Sequence, residues 1–237
     1  MSNNLTRRLT ELTERYNSTN AHDLLVAGIL TEFPRQIAVV SSFGAESAVL
    51  LHMVAAINPD TDVIFLDTGK HFDETIRYRD ALVSLLGLTH AHTVSPDASA
   101  VAERDARSML WSENPDQCCE LRKVEPLANA LAPFAAWISG RKSHQSAERR
   151  DLPKVEYVDG KFKFNPLALW SRLELVSYLE RHGLPRHPLE ADGYVSIGCI
   201  PCTDRLLPGE DSRAGRWRGR NKTECGIHRS PQHRATS

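Results

Sequence analysis

The chain has 237 residues, of which 25% are charged, and its formal net charge is −1. A chain of this length can bury one sizeable core, so we expect one α/β domain with a tail. The near-neutral charge argues against a nucleic acid as partner. No apolar stretch reaches membrane-spanning length and the N-terminus lacks an apolar signal core, so we expect no membrane partner and a cytoplasmic location.

The first part of the chain predicts two helices, a strand and a third helix. Apolar residues recur at helical spacing over 5–16 and over 20–31. A β-branched run at 36–40 predicts a strand, which ends in a loop of small residues at 41–47. The apolar stretch at 48–57 predicts a helix. Strand, loop and helix in this order form the front half of a βαβ unit.

The alternation of strands and helices continues through the middle of the chain. The pattern predicts strands at 62–66, 89–94 and 135–139, and helices at 73–86 and within 113–132. Such alternation is typical of a parallel-rich sheet that is covered by helices on both faces.

The last third predicts a hairpin, a helix and then loops. Asp159-Gly160 lies between two short alternating runs, which is typical of a β-hairpin. Ser171 and Glu174 form a capping-box pattern at the start of a helix predicted over 171–182. The chain after this helix is rich in proline and predicts loops.

The loop at 41–47 is a candidate site for phosphate or sulfate. It joins a strand to a helix, which is where open α/β sheets bind nucleotides, and helix N-termini attract anions. Ser41, Ser42 and Ser47 add hydroxyl donors. Gly44 lets a ligand approach the backbone closely. The loop lacks the Gly-Lys-Ser/Thr ending of a Walker A motif, and an ordinary turn is the alternative interpretation.

Asp67, Thr68 and Gly69 form the equivalent turn after the second predicted strand. Asp67 is a candidate acceptor for ribose hydroxyls, or a group that positions the neighbouring loop. A turn or N-cap aspartate is the alternative. We therefore count the three residues as candidate substrate contacts.

The five cysteines divide into two pairs and a single residue. Cys118 and Cys119 are adjacent, Cys199 and Cys202 form a Cys-x-x-Cys pair, and Cys225 stands alone. Paired cysteines in a cytoplasmic protein indicate metal ligands or redox groups rather than disulfides. Four thiolates match an iron–sulfur cluster, and a four-iron cube accommodates adjacent cysteines better than zinc because its ligands are farther apart. Zinc and buried, unliganded thiols remain the alternatives, and the single cysteine is a candidate nucleophile.

The C-terminal region is basic. From 213 to 237 there are seven Lys and Arg residues and one acid, Glu224. We divide the chain into a domain at 1–208 and a flap at 209–237, which carries Cys225 and folds over an anionic substrate. A solvated, frayed tail is the alternative.

These motifs together resemble the assimilatory adenylyl-sulfate (APS) reductases, in the family that also contains phosphoadenylyl-sulfate (PAPS) reductases. The most specific matches are CCELRKVEPL at 118–127, GCIPCT at 198–203 and KTECGIH at 222–228. The resemblance implies the adenine nucleotide α-hydrolase-like (PP-loop) fold, with a parallel-rich sheet, helices on both faces and a flexible C-terminal tail.

The resemblance also implies roles for individual residues. Those that would bind a [4Fe-4S] cluster are Cys118, Cys119, Cys199 and Cys202. Those that would face the phosphosulfate are Lys123, Arg149, Arg213 and Arg216, with 41–47 as the phosphate loop. Cys225 would be the nucleophile.

The implied reaction is the thioredoxin-dependent reduction of adenosine 5′-phosphosulfate to sulfite and AMP, in sulfate assimilation and cysteine biosynthesis. The thiolate would form an S-sulfocysteine, and thioredoxin or a glutaredoxin-like dithiol protein would donate the electrons. The residues leave open whether the chain forms a homo-oligomer.

Positive charge must stabilise the thiolate of Cys225, because a free cysteine has a pKa of roughly 8.5. Lys222, Arg220 and His228 are the nearest candidates in sequence, and His228 is also a catalytic candidate, either as a base or in a local structural role. Lys123 follows the adjacent cysteines on the same predicted helical segment. We expect the cluster to set the geometry and the field around this lysine and not to relay electrons.

Three other functions remain open. The chain could reduce PAPS, or both APS and PAPS. An ATP-dependent PP-loop sulfurtransferase is more remote, because such enzymes would have a Ser-Gly-Gly-x-Asp-Ser type of loop. A non-enzymatic iron–sulfur sensor would leave Cys225 and the basic region unexplained.

Overall fold

The computed structural model follows the alternation of strands and helices that the sequence predicts, and it describes residues 2–228. Its strands are β1 (Ile37–Val40), β2 (Asp62–Leu66), β3 (Ala91–Val94), β4 (Ala136–Ser139), β5 (Val155–Val158) and β6 (Lys161–Phe164). Its α-helices are α1 (Ser2–Tyr16), α2 (Ala21–Val26), α3 (Ser47–Ile57), α4 (Asp73–Leu86), α5 (Ala98–Arg104), α6 (Leu110–Glu113), α7 (Pro115–Cys119), α8 (Glu125–Leu131) and α9 (Arg172–Arg181).

Within the described residues, six strands form one sheet in the order β3-β2-β1-β4-β6-β5. β1 pairs in parallel with β2 and β4, β3 and β6 extend the parallel part, and β5 is antiparallel to β6. The chain runs outward from β1 to β3 and then returns to β4 on the other side of β1. The strand order therefore reverses between β1 and β4, which is where open α/β sheets hold their ligands.

Side chains of the central strands alternate between two hydrophobic cores, since successive residues of a strand face opposite sides of the sheet. Val39 and Phe65 face the larger core, to which α1 to α4 and α9 contribute. Ala38 and Ile64 face a second core that includes Leu127 of α8. Helices thus cover both faces of a parallel-rich sheet, and the predicted α/β class is confirmed.

The helical run from α7 to α8 contains a π-helical turn at Glu120–Val124. In this turn the Glu125 N–H donates to the Glu120 carbonyl, five residues back. Pro126 lacks the N–H that would bond to the Arg122 carbonyl, which accounts for the loss of α-helical spacing here. The adjacent cysteines and the lysine that follows them lie on one continuous helical run, as predicted.

Local sequence signals placed the later elements correctly. Asp159 and Gly160 both have positive φ, 53° and 79°, as a two-residue hairpin turn requires, and they join β5 to β6. Ser171 and Glu174 form the predicted capping box at the start of α9. The sequence did not predict α5 and α6, which are too short for a clear periodicity.

The region after α9 consists mainly of loops, and its last described part packs against the body of the protein. In the C-terminal segment, defined here as residues 209–228, Trp217 is only 2% exposed. The division into 1–208 and 209–237 stays a prediction, and residues 229–237 lie outside the described part of the chain. Across residues 2–228 no helix combines the length and the hydropathy needed to span a bilayer.

Candidate active site

A cavity of about 230 Å³ opens at the carboxyl ends of β1 and β4. Val40 and Ser41 line it from the end of β1, and Ser139 and Gly140 line it from the end of β4. The cavity therefore lies at the point where the strand order reverses, the expected place for a nucleotide.

The loop at 41–47 forms one wall of this cavity. Phe43 has a positive φ of 47°, which is unfavourable for a large side chain, and its buried ring packs edge-on against Phe65 at 5.6 Å. Ser47 begins α3, and the N-cap residue Glu46 makes no side-chain capping bond to the first turn. The Ser47 N–H donates to the Gly44 carbonyl at 3.0 Å, and the N–H groups that follow it in the first turn can bind an anion.

The cavity brings together most of the site residues that the sequence predicts. Lining it are Ser41, Ser42, Gly44, Ser47, Lys123, Arg149, Arg213, Arg216, Cys225 and His228. A candidate nucleophile, a phosphate-type loop and several cations therefore share one space. This combination suits an anionic nucleotide whose reacting atom faces a thiol.

The turn of Asp67, Thr68 and Gly69 does not line this cavity. Asp67 Oδ1 accepts a hydrogen bond from the Gly69 N–H at 2.9 Å, and so stabilises its own turn. Thr68 Oγ1 lies 3.2 Å from Cys199 Sγ. In this structure the turn supports the cysteine region, and a substrate contact by these three residues stays a prediction.

A second, small cavity is lined by all four paired cysteines, Cys118, Cys119, Cys199 and Cys202. The first two end α7, and the other two lie on the loop that follows Gly198. Lys123 lines this cavity and the larger one, and it connects the two sites. Among residues 2–228, no three His, Cys, Asp or Glu side chains converge on a point that a single metal ion would occupy.

Burial makes the paired thiols weak acids. It raises the pKa of Cys118 to about 11 and that of Cys119 to about 12, and it also raises the pKa of Cys202. Burial alone would do the same to Cys199, but Lys123, the hydrogen bond with Thr68 and Arg216 together outweigh burial and lower that pKa. A metal centre bound here would replace protons and would supply the compensating positive charge.

Buried Arg122 holds the helical run of the adjacent cysteines against Asp105, which follows α5, and against the turn after β2. Arg122 Nη2 donates to Asp105 Oδ2 at 2.7 Å, and Arg122 Nη1 donates to the Thr68 carbonyl at 2.9 Å. The pair fixes the orientation of the π-helical turn, from which Lys123 projects between the two cavities.

Cys225 is half-buried, and its basic neighbours differ from those nearest in sequence. Lys222 pairs with Asp116, and Arg220 donates to the Trp111 carbonyl. The cations whose charge interacts with Cys225 are instead Lys123 and Arg213. Folding brings Lys123 from a distant part of the sequence, whereas Arg213 lies earlier in the same C-terminal region.

His228 stacks face to face on Trp137, with ring centroids 5.6 Å apart and planes 5° apart. Burial first, and then the neighbouring cations Lys163 and Arg141, lower its pKa well below the usual range. A neutral imidazole adds no positive charge beside Cys225. The stacking favours a local structural role for this residue, while its catalytic role stays a prediction.

The sequence did not single out two buried ion pairs at the edge of the cavity. Glu46 Oε2 lies 2.6 Å from Lys142 Nζ, and Glu224 forms a two-bond pair with Arg149. One signal was present in the sequence, because Glu224 is the single acid of the basic region. Glu46, inside the loop at 41–47, carried no comparable signal.

Arg216 approaches the backbone closely at Gly198. Its Nε donates to the Cys202 carbonyl at 3.0 Å, and its guanidinium lies 4.4 Å from the centre of the Trp217 ring. A Cβ at position 198 would collide with the guanidinium, so a side chain here would require Arg216 to move. Arg216 thereby links the Cys-x-x-Cys loop to the larger cavity.

Lys163 of β6 is fully buried under the site, 3.3 Å from Glu156 Oε1 and over the Trp137 ring. Burial, and then Arg141, lower its pKa to about 7, so the unfolded chain binds a proton that the folded chain partly loses above pH 7. We predict that Lys163→Met raises the free energy of unfolding by about 1–3 kcal/mol at pH 7, since Glu156 keeps Arg141 as a partner.

This gain should shrink between pH 7 and about 10, because the free energy of unfolding of the unsubstituted protein rises with pH over that range. Urea unfolding of both proteins at several pH values measures the difference. A loss of stability at every pH would show instead that the buried lysine is net stabilising.

The site and fold define a PP-loop protein of the adenine nucleotide α-hydrolase class. The structure resembles yeast FAD synthetase with a TM-score of 0.54 at 17% identity, over 83% of this chain and 74% of that one, which concerns the fold alone. It resembles phosphoadenylyl-sulfate (PAPS) reductase from Candida auris with a TM-score of 0.68 at 26% identity, over 81% and 94%. The predicted PP-loop class is confirmed.

The sequence identifies the family. Residues 36–205 match the model of the phosphoadenosine phosphosulfate reductase domain. The chain is 54% identical to the adenosine 5′-phosphosulfate reductase of Mesorhizobium japonicum, over 84% of this chain and 78% of that protein. The chain belongs to the APS/PAPS reductase family, and the predictions of that family and of an oxidoreductase are confirmed.

Proposed function

We propose that this chain reduces APS to sulfite and AMP with electrons from a dithiol protein. The observation that carries the proposal is that Cys225 shares one cavity with a phosphate-type loop and the cations Lys123, Arg213 and Arg216. The similarity to a curated APS reductase at 54% identity supports the choice of substrate.

The proposed reaction has two covalent steps. The Cys225 thiolate attacks the sulfur of the sulfate group, so that a sulfur–sulfur bond forms, the bond from sulfur to the bridging oxygen breaks and AMP leaves. A donor thiolate then attacks Cys225 Sγ, and sulfite leaves with the electron pair of the sulfur–sulfur bond. The donor's second thiol resolves the mixed disulfide, so two thiols become one disulfide and the sulfate sulfur gains two electrons.

The cations of the cavity would act electrostatically in the first step. Attack brings a thiolate to an anionic substrate, and negative charge grows on the bridging oxygen as AMP leaves. Lys123 and Arg213 lie close enough to interact with the charge of Cys225. A preorganised group of this kind commonly lowers a barrier by about 3 kcal/mol.

We also propose that Cys118, Cys119, Cys199 and Cys202 bind a [4Fe-4S] cluster. They line one cavity, and four cysteine thiolates are the usual ligand set of such a cluster. When bound, the cluster would supply a fixed local charge and a rigid link between the two cysteine pairs. The thiols of the donor supply both electrons, so the reaction needs no change in its oxidation state.

Protein purified without oxygen is expected to be brown with broad visible absorbance, and Cys118→Ser or Cys199→Ser should remove most of it. Cys225→Ser is the matched control and should keep the colour, because Cys225 lines the other cavity. Iron and zinc analysis completes the measurement. Colourless protein with one tightly bound zinc would contradict the cluster proposal.

A single nucleophilic thiol requires a partner for its reduction. The other four cysteines line the second cavity, so the thiol that attacks Cys225 must come from another molecule. We propose thioredoxin or a glutaredoxin-like protein as this donor, in the cytoplasm, with sulfite entering cysteine biosynthesis. Sulfite release should depend on one of these proteins and on its second cysteine.

The second candidate substrate is PAPS, since the solved structure from Candida auris is named a PAPS reductase. Measuring kcat/KM for sulfite release from APS and from PAPS decides between them. A higher value for APS supports the proposal, and equal or higher values for PAPS replace it with the dual or PAPS-specific alternative. ATP-dependent thiolation of tRNA would instead support the more remote alternative, an ATP-dependent PP-loop sulfurtransferase.

A further inference from the structure

Cys225 lies between two anchor points of the C-terminal segment. Glu224, the residue before Cys225, forms a polar anchor. Ile227 and His228, which follow Gly226, form an apolar anchor. The position of the Cys225 sulfur therefore depends on how firmly both anchors hold.

The polar anchor is a buried pair of Glu224 with Arg149. Glu224 is 8% exposed, its Oε1 accepts from Arg149 Nε at 2.6 Å, and its Oε2 accepts from Arg149 Nη2 at 2.8 Å. Arg213 adds a bond from Nη2 to the Thr223 carbonyl at 2.8 Å. Two parallel bonds to one carboxylate fix direction as well as distance.

The guanidinium of Arg149 is fully engaged by protein oxygens. Its Nε and Nη2 bond to Glu224, and its Nη1 donates to the Gln145 side-chain carbonyl. Arg149 is itself buried, so it has little freedom to turn towards a nucleotide. Arg216 lines the same cavity with one guanidinium bond, from Nε to the Cys202 carbonyl, and so keeps donors for the phosphosulfate, whereas Arg213 is itself held by the Thr223 carbonyl and Glu224.

The apolar anchor holds the chain on the other side of the nucleophile. Ile227 packs against the core of Ala38 and Leu127, and His228 stacks on Trp137. Gly226 links the anchors with a φ of 91°, a left-handed conformation that suits glycine. The chain thus turns sharply at Cys225, from the arginines to the core.

We propose that Glu224 is a positioning residue, which holds the Cys225 sulfur on the line of attack, and that Arg149 acts through Glu224 without touching the nucleotide. This inference rests on the proposed function, because it concerns the first covalent step. It changes the role that the resemblance implies for Arg149, from binding phosphosulfate to docking the C-terminal segment.

The energetics favour a coupled pair. Burial alone would raise the pKa of Glu224, but Arg149, with Arg213 and Arg141, outweighs burial and lowers that pKa, so the carboxylate stays charged. Removing Glu224 leaves the Arg149 charge buried without its partner, removing Arg149 leaves Glu224 with the weaker pair to Arg213 at 3.5 Å, and removing both leaves neither charge. Variants of the two residues should therefore be strongly non-additive.

The main experiment uses full-length enzyme purified without oxygen, mixed with APS in the absence of reductant. The rate at which Cys225 gains one SO₃ is followed by quenching and intact-mass spectrometry, and AMP affinity is measured by calorimetry. We expect Glu224→Gln and Arg149→Met each to slow the adduct by about 10- to 100-fold, the cost of a misplaced reacting atom. AMP affinity should change less than threefold, and the double variant should be no slower than the slower single one.

The matched control is Asp151→Asn, which removes an exposed carboxylate two residues after Arg149. It should leave the adduct rate within twofold. Glu224→Asp keeps the carboxylate charge and should form the adduct faster than Glu224→Gln. If the slow rate of Glu224→Gln came from a loss of folding, restoring the charge would give no such recovery. Melting temperature and visible absorbance, measured on every variant, show whether a slow variant is still folded under the assay conditions.

Two readouts test the anchor without any reaction on APS. Iodoacetamide should alkylate Cys225 faster in Glu224→Gln, and trypsin should cleave faster after Arg213 to Arg220. If the unsubstituted enzyme forms no adduct from APS, the proposed function is wrong. The alkylation and proteolysis rates would still test whether Glu224 anchors the C-terminal segment. The anchor is overturned by an unchanged or faster adduct in Glu224→Gln, by unchanged accessibility of the segment, or by an Arg149→Met variant that loses tenfold or more in AMP affinity.

Discussion

Cys225→Ser is expected to release no sulfite from APS and to gain no SO₃. A serine hydroxyl has no anionic form near neutral pH, so the first covalent step loses its nucleophile, and the rate should fall by at least about 10⁴-fold. Intact-mass spectrometry after mixing with APS alone measures the adduct, and sulfite release with a dithiol donor measures turnover. AMP affinity should be retained, since the loop at 41–47 and the cations of the cavity are unchanged.

Thr223→Ala is the matched control for this variant. Thr223 lies on the same segment and is exposed, and it bonds to Arg213 through its backbone carbonyl, which the substitution keeps. It should form the adduct at nearly the rate of the unsubstituted enzyme. An SO₃ group found on another cysteine, or turnover by Cys225→Ser, would contradict the assignment of the nucleophile.

The order and type of most elements could be predicted because each has a strong local signal. The strand at Asp62–Leu66 and the helix at Asp73–Leu86 have the predicted bounds, since apolar periodicity and polar turns agree there. The π-helical turn at Glu120–Val124 could not be predicted, because it depends on hydrogen-bond spacing inside an otherwise regular helix. The Ala98–Arg104 helix buries no side chain fully and offered no apolar face to detect.

The components of the site could be predicted, but their connections could not. The five cysteines, the phosphate-type loop and the basic residues follow from motifs and from the family resemblance. The partners of the charged side chains depend on long-range folding: Lys222 binds Asp116, and Glu224 binds Arg149. Separations of 106 and 75 residues leave no local pattern in the sequence.

Lys123 is expected to have the second largest effect, because it is the cation that the two cavities share. Burial alone would lower its pKa, but the charges of Cys199, Cys225 and Cys119 outweigh it and raise that pKa above the usual range. We predict that Lys123→Gln slows SO₃ transfer to Cys225 by about 10²–10³-fold, as expected for the loss of one preorganised charge.

The matched control is Lys70→Gln. Lys70 also lines the cysteine cavity, but its Nζ bonds to Ser108 at the surface, so its loss should change the rate less than threefold. Iron content and visible absorbance, measured on each variant, allow the rate to be expressed per cluster-loaded molecule. Equal rate losses in Lys123→Gln and Lys70→Gln would show that any positive charge near the cysteines has this effect, whatever its position.

The two covalent steps can be separated to locate the action of Lys123. Charge grows on the departing AMP only in the first step, so an S-sulfocysteine formed slowly in Lys123→Gln should still release sulfite to a dithiol donor at a near-normal rate. Following the adduct by mass after gel filtration and addition of the donor gives this second rate alone. A lysine that acted mainly by orienting the cysteine pairs would slow both steps, whereas one that stabilises the departing phosphate slows only the first.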